Sequence, residues 1–203
     1  MSKRKKKYYI FHKPYGVLCQ FTPEHGKTCL GDLLQLSKDV YPVGRLDENS
    51  EGLLILSNDG QFKHQLLDPE FEHPRSYWAQ LDGKITQEAI DQLQNGVTIK
   101  LKNSSYHTLP AVVEQIDDPP VQERAVRVDY NREKGYSWIK ITLREGKNRQ
   151  VRKMTAAVGF PTARLIRCSI GELQLGNLAS GDLMSVNENW LRKKTGMVKP
   201  AAQ

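Results

Sequence analysis

Arg45, Asp47, Glu48 and Glu51 crowd one short stretch of this chain, Val43-Gly44-Arg45-Leu46-Asp47-Glu48-Asn49-Ser50-Glu51-Gly52. Glycines at both ends let the backbone bend sharply or be approached closely. The stretch runs straight into Leu53-Leu54-Ile55-Leu56-Ser57, an apolar run closed by the turn signal Asn58-Asp59-Gly60, so Gly52–Ser57 reads as a buried strand. A charged loop anchored on a core strand is a common way to present a reactive side chain on a rigid base. Here that side chain is a carboxylate, the kind of group that serves as nucleophile or base. The plain alternative is a surface turn whose carboxylates pair with basic neighbours.

A second constellation is basic. Lys147, Arg149, Arg152 and Lys153 surround the start of an amphipathic segment, and Arg164 and Arg167 follow, with no Asp or Glu between Lys147 and Arg167. Val151, Met154 and Val158 form an apolar stripe at helical spacing, ended by Gly159 and Pro161, so 149–158 reads as a helix with a positive outer face. Such a face suits a phosphate backbone; the alternative is a solvated helix surface.

These groups need a scaffold, and composition bounds it. At 203 residues the chain can form one large domain or two small lobes with a real core. Thirty Lys and Arg against 23 Asp and Glu leave a charge of +7, which favours a polyanionic partner. No apolar run approaches the roughly 18 residues that span a bilayer. Tyr8-Tyr9-Ile10-Phe11, behind the basic Lys3-Arg4-Lys5-Lys6-Lys7, is too short for a signal-peptide core. A cytoplasmic protein without a membrane partner is expected. Cys19, Cys29 and Cys168 have no C-x-x-C spacing, and the five histidines show no ligand pattern. Phosphate-cradling glycine motifs are absent from the sequence, so neither a metal nor a nucleotide cofactor is expected.

Taken in order, Tyr8–His12 reads as a strand, Lys13-Pro14-Tyr15-Gly16 as a turn, and Val17–Phe21 as extended chain. Helices are expected at Thr28–Leu36, Gln61–Leu67 and from the N-cap Thr86 to Asn95-Gly96. Arg75–Leu81, Val97–Leu101 and Ala111–Ile116 read as strands, and Val126–Tyr130 with Tyr136–Leu143 as a hairpin. Thr162–Cys168 and Glu172–Leu175 complete the strands, and Arg192-Lys193-Lys194 opens a weakly structured tail. The sum is a strand-rich α+β chain without βαβ alternation or an internal repeat.

Gly44-Arg45-Leu46-Asp47 with Ser50-Glu51-Gly52-Leu53-Leu54 and Asn58-Asp59-Gly60 resembles the catalytic motif of the RsuA/RluB/RluE/RluF family of ribosomal RNA pseudouridine synthases. Glu145-Gly146-Lys147-Asn148-Arg149-Gln150-Val151-Arg152-Lys153-Met154 is similar to its second signature. Lys13-Pro14-Tyr15-Gly16, Arg75-Ser76-Tyr77, Arg164-Leu165-Ile166-Arg167 and Ile170-Gly171 extend the resemblance over roughly residues 9–186. Most members carry an N-terminal S4-type domain, for which the residues before Tyr9 leave no room. With Gln20-Phe21-Thr22, that makes the chain look most like the short member acting on large-subunit rRNA.

The resemblance implies an α+β pseudouridine synthase catalytic fold without an S4 domain, its mixed, mainly antiparallel sheet split between two lobes around a central cleft. Residues 8–190 would form this catalytic domain, with 1–7 a basic disordered tail and 191–203 a basic C-terminal tail. Asp47 would be the essential aspartate, Arg45 the arginine entering the RNA helix, and Tyr77 the aromatic stacking on the target base. Arg152 would be the basic partner of the aspartate and Leu165 an apolar pocket residue. Lys13, Lys147, Asn148, Arg149, Lys153, Arg164 and Arg167 would contact RNA. Arg75 stands where the family more often has Lys. The implied substrate is 23S rRNA or a large-subunit assembly intermediate, handled by a monomer without cofactor. A rival is a non-catalytic RNA-binding or ribosome-assembly factor on the same scaffold.

Overall fold

The computed structural model describes residues 5–124 and 126–197. In chain order the first elements are β1 (Tyr8–Lys13), α1 (Leu30–Leu33), β2 (Tyr41–Val43), β3 (Glu51–Ser57) and α2 (Gly60–Leu67). Next come β4 (Arg75–Asp82), α3 (Gln87–Asn95), β5 (Thr98–Lys100), β6 (Ser105–His107), β7 (Val112–Ile116) and β8 (Tyr136–Leu143). The last are α4 (Gln150–Ala157), β9 (Thr162–Ile170), β10 (Leu173–Gln174), β11 (Leu183–Ser185) and α5 (Glu188–Lys194). The expected α+β class holds. The chain divides into two compact units, one made of the chain up to His73 and from Cys168 onward, the other of Pro74–Arg167.

The first unit is built on β3, all seven of whose residues are buried. β1 pairs antiparallel with β3 from Tyr8 opposite Ser57 to Lys13 opposite Gly52, and β11 covers the other edge of β1. Leu53, Leu54, Ile55 and Leu56 are fully buried, each contributing about 1.5–3 kcal/mol of burial. Phe11, Val17, Leu30, Leu34, Val40, Leu54 and Leu56 form one of its core clusters. The helix expected at Thr28–Leu36 is a single turn, since it contains the weak helix formers Gly31 and Asp32 and Leu34 is already extended. Val17–Phe21 forms no strand; Leu18 makes an isolated bridge to Cys29.

Asp59 ties this unit's ends together. It caps α2 by accepting from the Gln61 and Phe62 N–H groups. Its Oδ2 also accepts from the Tyr8 hydroxyl at 2.6 Å, and pairs with Lys6 at 2.8 Å and Arg192 at 3.3 Å. Arg192, Lys193 and Lys194 therefore belong not to a loose tail but to the last turn of α5, capped by Asn187 and anchored by buried Leu191. Residues 1–4 and 198–203 of the expected tails lie outside the described residues. Burial pushes the Asp59 carboxyl up, but the Lys6, Tyr8 and Phe62 hydrogen bonds outweigh it and hold its pKa down to about 2. A depressed carboxylate stabilises above its unfolded pKa of 3.8, and that contribution is lost as pH falls through about 2. Asp59→Ala is expected to lower the unfolding free energy by about 2 kcal/mol at pH 7. In urea unfolding, the gap to wild type should shrink steadily between pH 4 and pH 2.

In the second unit, β8 lies between β4 and β7 and pairs antiparallel with both. This explains why no hairpin forms at 126–130: both edges of β8 are taken, and Val126 is exposed. α3 has the expected Thr86 N-cap and packs beside β7, whose Val113 carbonyl accepts from Gln94 Nε2 at 2.9 Å. That contact helps cover an otherwise open sheet edge. Ala79, Leu81, Ile90, Leu93, Ile139, Ile141 and Met154 form the heart of its core. β9 begins in this unit and continues past Arg167 into the first.

Candidate active site

The Asp47 loop is shaped by two glycines and one lysine. Gly44 and Gly52 have φ of +79° and +105°, a region that favours glycine, so the loop enters and leaves through turns a side chain would strain. Val43, Leu46 and Ser50 point inward while Arg45 is exposed, and the Ser50 N–H donates to the Asp47 carbonyl at 3.0 Å. Asp47 itself is half-buried.

The register of β1 with β3 places Lys13 opposite Gly52, at the foot of this loop. Its side chain is fully buried, and Nζ donates to the carbonyls of Pro14 (2.8 Å), Val17 (2.6 Å) and Glu48 (3.3 Å). The Gly16 N–H donates to the same Glu48 carbonyl at 2.9 Å, so the turn after β1 is stitched to the Asp47 loop. Lys13 thus has no ammonium hydrogen left for a phosphate; the expectation that it contacts RNA gives way to a loop clamp. Burial pulls its pKa down to about 8, opposed by nearby Glu51, Glu48 and Asp47.

The second unit carries the other candidates. Tyr77 is half-buried on β4, opposite Ile141 of β8, where it packs against the core's rim. Arg75 on the same strand is half-buried, and its desolvation, with Arg167 nearby, lowers its pKa. Arg152 is half-buried on α4, its guanidinium donating to the Thr162 carbonyl at 2.9 Å. Thr155 and Thr162 share a 2.7 Å hydroxyl contact beside it, which fixes α4 on β9. Leu165 is buried in the core cluster.

The basic cluster divides. Lys147, Asn148 and Arg149 are exposed and Lys153 half-buried, as a phosphate-contacting face requires. Arg164 and Arg167 are buried, and Arg164 donates to the Gln122 carbonyl at 3.0 Å. They are therefore not part of an exposed helix face; they lie on β9, whose last seven residues are all buried. The helix begins one residue later than expected: Arg149 is the N-cap, in left-handed conformation with φ of 53°.

One cluster joins residues of the second signature to Tyr106, which no sequence motif contains. Glu145 accepts from the Tyr106 hydroxyl (2.6 Å), the Leu109 N–H (2.9 Å) and Gln150 Nε2 (2.6 Å). Gln150 Oε1 in turn accepts from the Lys147 N–H at 2.8 Å, and the Lys147 ammonium lies 4.6 Å from the centre of the Tyr106 ring. The Ser105-Tyr106-His107 stretch is too short to stand out as a strand, so Tyr106 falls in the span between the expected strands Val97–Leu101 and Ala111–Ile116.

Among the described residues no three His, Cys, Asp or Glu gather as a metal site, and no helix is long and apolar enough to cross a membrane. Residues 7–157 match the family described as RNA pseudouridylate synthase. The chain is 45% identical over 176 residues to ribosomal large subunit pseudouridine synthase E of Vibrio parahaemolyticus, covering 87% of this chain and 72% of that protein. It is 41% identical over 180 residues to the protein of the same name from Xanthomonas axonopodis pv. citri, covering 84% and 88%. A crystal structure of a pseudouridylate synthase superposes with a TM-score of 0.77 at 21% identity, over 95% of this chain and 75% of the other.

Proposed function

Since this chain belongs to the RNA pseudouridylate synthase family, we propose that it isomerises uridine to pseudouridine in large-subunit ribosomal RNA, with Asp47 as the reacting carboxylate. The observation that carries the site assignment is the Asp47 loop. It displays the half-buried Asp47 carboxylate, with Glu48 beside it, between two turns that require glycine, on a foundation clamped by a buried lysine. A chain that only bound polyanionic RNA would have no use for a carboxylate presented in this way.

The reaction breaks the bond between N1 of the base and C1′ of the sugar, turns the base, and joins C5 to C1′. N1 gains a proton and C5 loses one, so no oxidant, reductant or energy source enters. An ionised carboxylate is needed at C1′, either as nucleophile or as base on the sugar. The base must first leave its stack, which costs a few kcal/mol. Stacking on Tyr77 would return about 1–3 kcal/mol of that. In this reading Arg45 fills the space the base vacates, Arg152 supplies positive charge for the carboxylate, and Leu165 contributes an apolar wall. Lys147, Asn148, Arg149 and Lys153 hold phosphates. One chain supplies every named residue, so the enzyme is proposed to act as a monomer, in the cytoplasm where large-subunit rRNA is assembled.

The test uses purified protein and an unmodified large-subunit rRNA transcript. Carbodiimide treatment followed by primer extension should reveal a new stop at a defined uridine. If free transcript gives none, the same assay is run on pre-ribosomal particles from cells lacking the gene. A blank in both would overturn the reading.

A further inference from the structure

We propose that Tyr106 is a positioning residue for RNA binding, holding the Lys147 ammonium in place for a phosphate of the substrate. This rests on the reading of the chain as an rRNA-modifying enzyme. Tyr106 sits on β6, paired with Ile99 of β5, and β5 packs against α4. Its hydroxyl donates to Glu145 at 2.6 Å, and the carboxylate raises the phenol's pKa, so it stays a donor. Glu145 also takes hydrogen bonds from the Leu109 N–H and from Gln150, a buried residue that begins α4. Gln150 receives the Lys147 N–H. The main chain of Lys147 is therefore fixed through Gln150 and Glu145, while its side chain is fixed from the other side by the Tyr106 ring, 4.6 Å below the ammonium.

A lysine in an exposed loop ordinarily loses much side-chain freedom when it grips a phosphate. A cation over an aromatic face is attracted by the ring's negative quadrupole yet keeps its outward hydrogens for another acceptor. The ring thus restrains Lys147 before RNA arrives, and affinity rises without a new contact. The short β5–β6 hairpin, which lies outside all the motifs of the sequence, acquires a role through this contact.

A double-mutant cycle on the full chain tests it, reading Kd for a large-subunit rRNA transcript at fixed salt. Lys147→Met is expected to weaken binding about fivefold to tenfold and to lower the salt slope by about one. Tyr106→Leu should weaken it about threefold, and Tyr106→Phe, which keeps the ring, by less than twofold. The double variant Tyr106→Leu/Lys147→Met should bind no more weakly than Lys147→Met alone, because the ring acts only through the lysine. Independent, multiplying losses would overturn the inference, as would Tyr106→Phe binding as poorly as Tyr106→Leu. Melting curves accompany each variant; if Tyr106→Leu is poorly folded, Tyr106→Met replaces it in the cycle. Pseudouridine is scored in the same samples. Product with independent losses removes this inference alone, whereas a coupled cycle without product removes the synthase reading and keeps the contact.

Discussion

The Asp47→Asn protein is expected to bind large-subunit rRNA within about twofold of wild type and to form pseudouridine at least a thousandfold more slowly, on the order of the loss seen when a covalent nucleophile is removed. The substitution is nearly isosteric. The bonds that shape the loop, from Ser50 N–H to the Asp47 carbonyl and from Lys13 and Gly16 to the Glu48 carbonyl, are to main-chain oxygens and stay in place. What disappears is the negative charge, and with it the capacity to attack C1′ or to accept a proton from the sugar. A thousandfold corresponds to about 4 kcal/mol of transition-state stabilisation. Filter binding and single-turnover primer extension on the same preparations separate the two effects. A variant retaining a tenth of the wild-type rate would clear Asp47 and turn attention to Glu48, half-buried in the same loop.

Lys13→Met is expected to reduce the turnover rate about tenfold to a hundredfold, through a loop displaced by a fraction of an ångström. Three carbonyls lose their donor together, and the contact to Val17 lies in a buried setting, so stability should fall by about 2 kcal/mol at pH 7. Affinity for rRNA and its salt slope should hardly change. A phosphate-contacting lysine would do the opposite, weakening binding and lowering the slope by about one. The pH dependence carries a further signature. Lys13 releases its proton near pH 8 in the folded chain against 10.5 ordinarily, so between these values the unfolded chain holds more protons. The wild type should gain stability over the variant across that window, by up to about 3 kcal/mol. Urea unfolding from pH 7.5 to 10 would show the gap widening; a constant or narrowing gap would mean that burial does not govern this lysine.

What could be read from the sequence had local causes. β3 announced itself through four consecutive apolar residues and the Asn58-Asp59-Gly60 stop, and α3 through Thr86 and Gly96 at its two ends. What could not be read depended on distant partners. Val126, Val128 and Tyr130 alternate as a strand should, but β4 and β7 already occupy both edges of β8. Lys13 looked like a phosphate contact because its acceptors are main-chain oxygens, which have no residue signature. Arg164 and Arg167 looked like surface charge even though 162–168 read as a strand, because an arginine on a strand ordinarily faces solvent, whereas the last seven residues of β9 are all buried. The last turn of α5 did carry a signal: Asn187 and Glu188 at its start and three basic residues at its end match a helix dipole, yet the basic run resembled a tail. The candidate site followed the same rule. Asp47 and its glycines stood out locally, whereas Tyr106 gains meaning only through Glu145, 39 residues later.

The chain path of the two units also sets an order of events during synthesis. The second unit is one continuous segment and has every strand and helix it needs once residue 167 has left the ribosome. The first is interrupted: β1 needs β11 on its free edge, and Asp59, beside the start of β1, needs Arg192 from the last helix. A nascent chain held with its residues up to about 170 outside the ribosome and the rest still in the exit tunnel would therefore hold a folded inner segment and an unfinished outer one, with Phe11 and Leu54 still awaiting part of their cover. Proteases added at that stage should cut before His73 and spare the stretch after it, and only release of the C-terminus should close the molecule.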